Sequence, residues 1–291
     1  MTVAPARVPA DWPQRKLSRS VKVGPIDWHV QVGGHGPLVL LLHGSGASAH
    51  SWAELLPHLL PHASVVVPDL PGHGFTRGAD MARLTLPLIA ADLDALLAAL
   101  GLGRPVLVVG HSAGAALGLR WALLAKKQPR ALVGFNPSLV PPPAAYIAWL
   151  APLITPLATS APMASLLAGF SRSTGLVDRL LGSTGSELNP AQRKRYARLF
   201  ADPGHVRGTM NFMAAADLEA LQADGHALRL ALTFVLGTHD AWVPEQPLRQ
   251  VIAAAFPAAE VLAWSGGHLL HEAEPARAAA LVLERLARCQ A

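Results

Sequence analysis

Short apolar runs ending in Gly or Asp alternate along this chain with helix-length segments, and that alternation admits few folds. Leu38 to Leu42, Val65 to Val67, Val106 to Val109 and Leu132 to Phe135 read as buried strands, and Leu230 to Leu236 and Val261 to Trp264 resume the series. Between them Pro87 to Leu100 is predicted as a helix. Proline suits its first turn, Ile89, Leu93, Leu96, Leu97 and Leu100 share one face, and Gly101 ends it. Such an order implies a mostly parallel α/β sheet covered by helices. Val21 to Val23 and Trp28 to Val32 read as an antiparallel hairpin ahead of that sheet, and no internal repeat interrupts the series.

The rhythm stops between Phe135 and Leu230, where several helical pieces follow one another without a clear strand. The expected organisation is therefore a core of residues 1–136 and 228–291 with a helical cap, 137–227, inserted after the sixth strand. The first part of the insertion is unusual: from Ala131 through Ser171 there is no Asp, Glu, Lys or Arg. Prolines at 137, 141, 142, 143, 152, 156 and 162 break any continuous membrane-spanning helix there. Two readings stay open, a lid packed on the core and a lid whose apolar face meets lipid or a large hydrophobic substrate. In the second, Tyr146, Trp149, Leu150, Leu153, Ile154 and Leu157 form the mouth of a binding site.

With 51% hydrophobic and 15% charged residues the chain is globular and not a solvating, disordered one. The net charge of +5 favours anionic partners, yet the basic residues are dispersed. Their one dense cluster, Arg193, Lys194 and Arg195, reads as a solvated helix face, and no nucleic-acid partner is expected. A single cysteine, Cys289, excludes a disulfide framework. The proline-broken N-terminus lacks the apolar stretch of a signal peptide, so a cytoplasmic location is the expectation, with peripheral membrane contact through the cap as its variant.

Gly110-His111-Ser112-Ala113-Gly114 is a G-x-S-x-G motif between a strand run and the helical run Ala115 to Ala125. A nucleophile elbow needs that context: a sharp strand-to-helix turn exposes the serine, and the glycines let strand and helix approach. A serine hydroxyl is a weak nucleophile until a histidine accepts its proton and a carboxylate orients that histidine. Asp240 follows the strand run Leu230 to Leu236, and His268 follows Val261 to Trp264 after the pair Gly266-Gly267. Serine, acid, histidine is the chain order of the α/β-hydrolases. Among thirteen histidines, His239 adjoins the acid and His271 falls one helical turn later as a packing or capping residue. His58 and His62 are four residues apart but lack a third ligand, so neither a metal nor an organic cofactor is expected.

Negative charge grows on the carbonyl oxygen as the serine attacks, and donors must already be placed for it. The His43-Gly44-Ser45-Gly46 loop follows Leu38 to Leu42. The expected donors are the backbone N–H groups of Ala113 and Ser45. His43 is expected to prop this loop, and Asp69 of the PDLPGHG turn to fasten it from the neighbouring strand end.

These residues make the chain resemble the α/β-hydrolases that carry a helical cap. More narrowly, DWP at 11–13, DWHVQ at 27–31, LLLHGSGASAHSW at 40–52, VVPDLPGHGFT at 66–76, GHSAGAALGLR at 110–120 and LGSTGSELN at 181–189 are similar to the magnesium-chelatase accessory hydrolases of bacteriochlorophyll biosynthesis. The resemblance implies a tetrapyrrole setting, with a porphyrin or chlorin as small-molecule substrate and a magnesium chelatase subunit as partner. Three functions remain open: a serine hydrolase acting on an ester of a bulky apolar molecule, a non-catalytic tetrapyrrole-binding or handover protein, and a generic carboxylesterase or perhydrolase. Dehalogenase and epoxide-hydrolase chemistry is disfavoured, because those enzymes place an aspartate where Ser112 stands.

Overall fold

The computed structural model describes residues 3–5, 8–141, 160–173 and 175–290. Its strands are β1 (Val3–Pro5), β2 (Ser18–Val23), β3 (Ile26–Gly34), β4 (Leu38–Leu42), β5 (Ser64–Pro68), β6 (Leu107–His111), β7 (Ala131–Phe135), β8 (Ala231–Gly237) and β9 (Glu260–Trp264). They form one sheet in the order β1-β2-β3-β5-β4-β6-β7-β8-β9. The first three strands and the β3–β5 pairing are antiparallel, and every pairing from β5 to β9 is parallel. The expected hairpin is present with longer arms, Val21 facing Trp28.

Period-two alternation of buried side chains builds two cores, one on each face of the sheet. Leu40, Leu42, Val66, Val108, Leu132, Phe234 and Leu236 point to one face. There they meet helices α2 (Leu86–Ala99), α3 (Ala113–Leu124), α8 (Leu218–Asp224) and α9 (Glu245–Ala255). Val39, Leu41, Val65, Val67, Leu107, Val109, Val133 and Val235 point the other way, toward α1 (Leu56–Leu59), α10 (Leu270–Ala273) and α11 (Pro275–Arg288). Because the parallel strands are covered on both faces, they read as unbroken apolar runs. In α2 the expected face is buried at Ile89, Leu93, Leu96 and Leu97, and Leu100 packs half-buried against the same core. Gly101 follows with φ +66°, the left-handed stop that a helix C-terminus favours.

Between β7 and β8 the described residues contain helices and no strand: α4 (Ala161–Ser173), α5 (Leu176–Gly182), α6 (Pro190–Phe200), α7 (Pro203–Ala214) and α8. Counting β1, this stretch follows the seventh strand and not the sixth. β1 escapes a periodicity reading because its three residues end in proline. Helix α6 starts on a capping box, Asn189 and Gln192 each satisfying the other's backbone N–H. The Arg193-Lys194-Arg195 cluster on this helix is less solvated than its composition implies. Arg195 pairs with Glu54, just ahead of Leu56–Leu59, at 2.5 Å and Arg193 with Asp178 at 3.3 Å. Arg198, one turn on, pairs with Asp11 at 2.7 Å, so the DWP segment is tied to α6 while Trp12 buries against Leu199. No helix among the described residues is long and apolar enough to cross a membrane.

Candidate active site

The parallel strands deliver their C-terminal loops to one edge of the sheet. β5 lies on one side of β4 and β6 on the other, so the loops after β4 and β6 part and leave the crevice in which ligands bind in open α/β sheets. Ser112 is the single residue between β6 and α3, and its backbone stands at φ 51°, ψ −120°. Such a conformation costs an L-residue about 1–3 kcal/mol. Hydrogen bonds hold it there: the Ser112 N–H donates to Phe135 O at 3.0 Å, and its carbonyl accepts from Ala115, Ala116 and Ser138. The flanking glycines are steric necessities. A Cβ at Gly110 would stand 2.4 Å from Ala115 Cα, and one at Gly114 would stand 2.2 Å from Leu42 O.

His268 Nε2 lies 3.0 Å from Ser112 Oγ, and His268 Nδ1 lies 2.7 Å from Asp240 Oδ2. All three residues are buried. With Nδ1–H donating to the carboxylate, Nε2 carries the lone pair that accepts the serine proton. Asp240 is held in turn, Oδ1 accepting the N–H groups of Trp242 and Val243 at 2.8 and 2.9 Å. The indole of Trp242 stacks on the His268 ring, centroids 6.0 Å apart and planes 22° apart.

A side-chain amide also ties together the loops that carry acid and base. Asn136, at the end of β7 with φ 44°, donates through Nδ2 to the carbonyls of Gly267 and His268, both at 3.0 Å. Its Oδ1 accepts the Gly237 N–H at 2.6 Å, three residues before Asp240. His111 adds a donor, Nε2–H to His268 O at 2.8 Å. The LGSTGSELN segment supports the base loop from the far side. Thr184 O accepts the His268 N–H at 2.8 Å, and Ser186 Oγ accepts the Leu269 N–H at 2.7 Å. A Cβ on Gly267 would stand 2.3 Å from the Gly185 carbonyl carbon, so the two backbones touch directly.

On the opposite side of Ser112 the loop after β4 presses close, a Cβ at Gly44 falling 3.1 Å from Ser112 Cβ. Ala113 opens α3, where a first-turn N–H has no intrahelical partner. Ser45 and Ala113 line the same cavity, of about 260 Å³, as Ser112 and His268. His43 does prop the loop, Nδ1–H donating to Gly44 O at 2.8 Å and Nε2 accepting the Leu70 N–H at 2.9 Å. Asp69 fastens it as expected, taking the Ala49 and Phe75 N–H groups at 2.7 Å and the His29 ring at 2.7 Å. Burial opposes charge on Asp69, yet these donors and the His29 ring hold its carboxyl below the ordinary range. Burial likewise keeps His43, His50, His73 and His111 below the usual imidazole value, and pushes His205 down to about 4 and His271 to about 3. These rings act as neutral packing and hydrogen-bonding groups.

The family model for the alpha/beta hydrolase fold matches residues 37–275. The chain belongs to the α/β-hydrolase family. This α/β-hydrolase is similar over nearly its whole length to the magnesium-chelatase 30 kDa subunit of Rhodobacter capsulatus, 35% identical over 289 residues that make up 97% of this chain and 99% of the relative. A shorter match joins it to the 2-hydroxy-6-oxo-2,4-heptadienoate hydrolase of Pseudomonas putida, 36% identical over 121 residues, 40% of this chain and 44% of the relative. Among solved structures, an alpha/beta hydrolase fold protein from Burkholderia ambifaria aligns with a TM-score of 0.73 over 91% of this chain and 98% of that one, and its 20% identity speaks to the fold alone.

Ser112, Asp240 and His268 of this α/β-hydrolase thus meet, with Ser45 and Ala113 on the wall of the same cavity. Tyr146, Trp149, Leu150, Leu153, Ile154 and Leu157 lie outside the described residues. His271 is packed between Trp52, His111 and Phe135 and takes no part in the serine contact. His58 and His62 are exposed, and among the described residues no group of three or more His, Cys, Asp or Glu side chains is placed to hold a metal. Sequence reasoning passed over Asn136, His111, Trp242 and the Thr184–Ser186 turn. An asparagine at a strand's carboxyl end is the one signal that pointed to a special position, since asparagine tolerates positive φ.

Proposed function

We propose that this α/β-hydrolase is a serine esterase acting on an ester of a bulky apolar molecule. The observation that carries the reading is the continuous contact from Ser112 Oγ through His268 to the buried, doubly capped Asp240. In the proposed reaction His268 Nε2 takes the hydroxyl proton as Oγ attacks the ester carbonyl. The N–H groups of Ser45 and Ala113 stabilise the oxyanion. Collapse of the tetrahedral intermediate expels the alcohol, which receives its proton from His268. Water activated by the same imidazole then frees the acid, and Asp240 remains a carboxylate throughout, holding the ring and its positive charge.

Residues 137–227 are proposed as a cap over the core of residues 1–136 and 228–291. The support is that Leu180, Thr184, Tyr196, Phe200, Phe212 and Met213, all from the helical stretch after β7, line the cavity around Ser112. A tetrapyrrole ester as substrate, a magnesium chelatase subunit as partner and a place in bacteriochlorophyll biosynthesis are proposed from the similarity to the Rhodobacter capsulatus subunit. The Tyr146–Leu157 segment is proposed as the macrocycle's mouth, and contact with a membrane surface would use Leu166 and Phe170, exposed one turn apart on α4.

Turnover of simple p-nitrophenyl esters and of methylated or phytylated porphyrins, by the unaltered protein and by Ser112→Ala, tests the proposal. The expected loss in Ser112→Ala is roughly 10⁴-fold or more. Porphyrin binding without turnover of any ester would favour a handover protein. Turnover of simple esters alone would favour a generic carboxylesterase.

A further inference from the structure

Beside the cavity at Ser112, with Ser45 and Gly46 lining both, lies a second chamber of about 330 Å³. The two share Ser45, Gly46, Leu180, Phe200, Met213 and Trp242 as walls, so the chamber directly adjoins the space around Ser112. Its remaining walls come from three helices, with Leu167 of α4, Leu176 and Val177 of α5 and Val206 and Met210 of α7 among them.

The chamber offers almost nothing to a polar group. None of its described lining residues is charged. Its two hydroxyls beyond Ser45 are already committed: Ser171 Oγ donates to main-chain carbonyls at 2.8 Å, and Thr209 Oγ1 donates to His205 O at 2.8 Å. A carboxylate, phosphate or sugar placed here would lose its water with little beyond the unpaired Ser45 Oγ to replace it, a cost of several kcal/mol. A rigid macrocycle with acidic side chains is excluded by the same chemistry. An aliphatic chain needs no partner and bends to follow the walls, and two methionines adapt to its path. At roughly 30 Å³ for each water-sized group, the chamber holds about ten methylenes.

We propose that this chamber is the subsite for an aliphatic arm of the substrate ester, and that it makes the protein selective for esters with a medium-length chain. The proposal rests on the reading of Ser112 as the nucleophile. Burial of successive methylenes then raises kcat/KM by up to about fourfold each, the equivalent of about 0.8 kcal/mol, until the chamber is full.

The test compares p-nitrophenyl alkanoates from acetyl to dodecanoyl, which extend the acyl side, with alkyl acetates, which extend the alcohol side. One series is expected to rise steeply and level off once the chain fills the chamber, and its identity tells which arm enters. In Leu176→Trp, which fills the chamber from a half-exposed position, the ratio of long-chain to acetyl kcat/KM within that protein is expected to fall at least 100-fold. Flat series in the unaltered protein, or an unchanged ratio in Leu176→Trp, would overturn the subsite while leaving the esterase intact. If no ester is turned over, the esterase reading has failed, and calorimetric titration with dodecan-2-one, which cannot be hydrolysed, judges the chamber alone. Binding that Leu176→Trp abolishes supports it, and no binding overturns it.

Discussion

Replacing Asn136 by alanine removes a side chain that ties the acid loop to the base loop from beneath both. The Gly237 N–H and the Gly267 carbonyl lose the partners they now have at 2.6 and 3.0 Å, while the His268 carbonyl keeps His111. Each buried group left unsatisfied costs about 1–3 kcal/mol. Alanine at φ 44° adds about 1 kcal/mol, since an L-residue without a local side-chain hydrogen bond resists the left-handed region. The sum is about 3–7 kcal/mol, and at 2–4 °C for each kcal/mol a fall in Tm of at least 6 °C follows. Activity should fall too, because a shift of about 1 Å in the base is worth on the order of 100-fold. Asn136→Gly separates the causes: it relieves the backbone and still loses the hydrogen bonds. Asn136→Asp keeps the acceptor for Gly237 but turns a carboxylate toward two carbonyls. Thermal melts together with kcat/KM on a p-nitrophenyl ester read all three variants. An Asn136→Ala protein with unchanged Tm and turnover within twofold would refute the assignment of Asn136 as the positioning residue.

Ser45→Ala should retain most activity and Ser45→Pro should lose it, because proline lacks the N–H donor whose loss costs about 2.7–4 kcal/mol of transition-state stabilisation. Steady-state kinetics on folded variants checks this, and equal damage from both would mean that the hydroxyl takes part. Stability should peak near pH 7. The buried histidines have lowered values, so their contribution is present above pH 6.5 and is lost as pH falls. His205 alone, held at about 4, accounts for about 2 kcal/mol between pH 7 and 5. Glu272 works in the opposite direction. Burial raises it to about 8 despite the 2.5 Å hydrogen bond from Tyr196, so its contribution is complete below about 4.5 and is lost as pH rises through about 8. Urea unfolding from pH 5 to 9 should show both limbs, and Glu272→Gln should flatten only the alkaline one. An alkaline limb that survives in that variant would assign the decline to another group.

What could be read from the sequence was what is local in it. Buried parallel strands are short apolar runs because both faces are covered, and the elbow is legible because strand, serine and helix are consecutive. The choice of Asp240 and His268 followed from strand ends. The supports of those residues were not legible, because they arise between distant parts of the chain. Asn136 reaches Gly267 across 131 residues, and His111 reaches His268 across 157. The similarity of LGSTGSELN to a known family was visible, but its physical reason, backbone contact between Gly185 and Gly267, needs the folded chain. The pairing of Arg195 with Glu54 was not legible for the same cause, since 141 residues separate the two.

Covalent labelling of Ser112 tests the central claim most directly. A fluorophosphonate probe should add one phosphonyl group to the intact protein, detected as a single mass increment that peptide mapping assigns to the segment containing Ser112. Ser112→Ala should stay unlabelled, and His268→Ala, lacking the base, should label far more slowly. Full labelling of a folded Ser112→Ala protein, or no labelling of the unaltered one, would contradict the account.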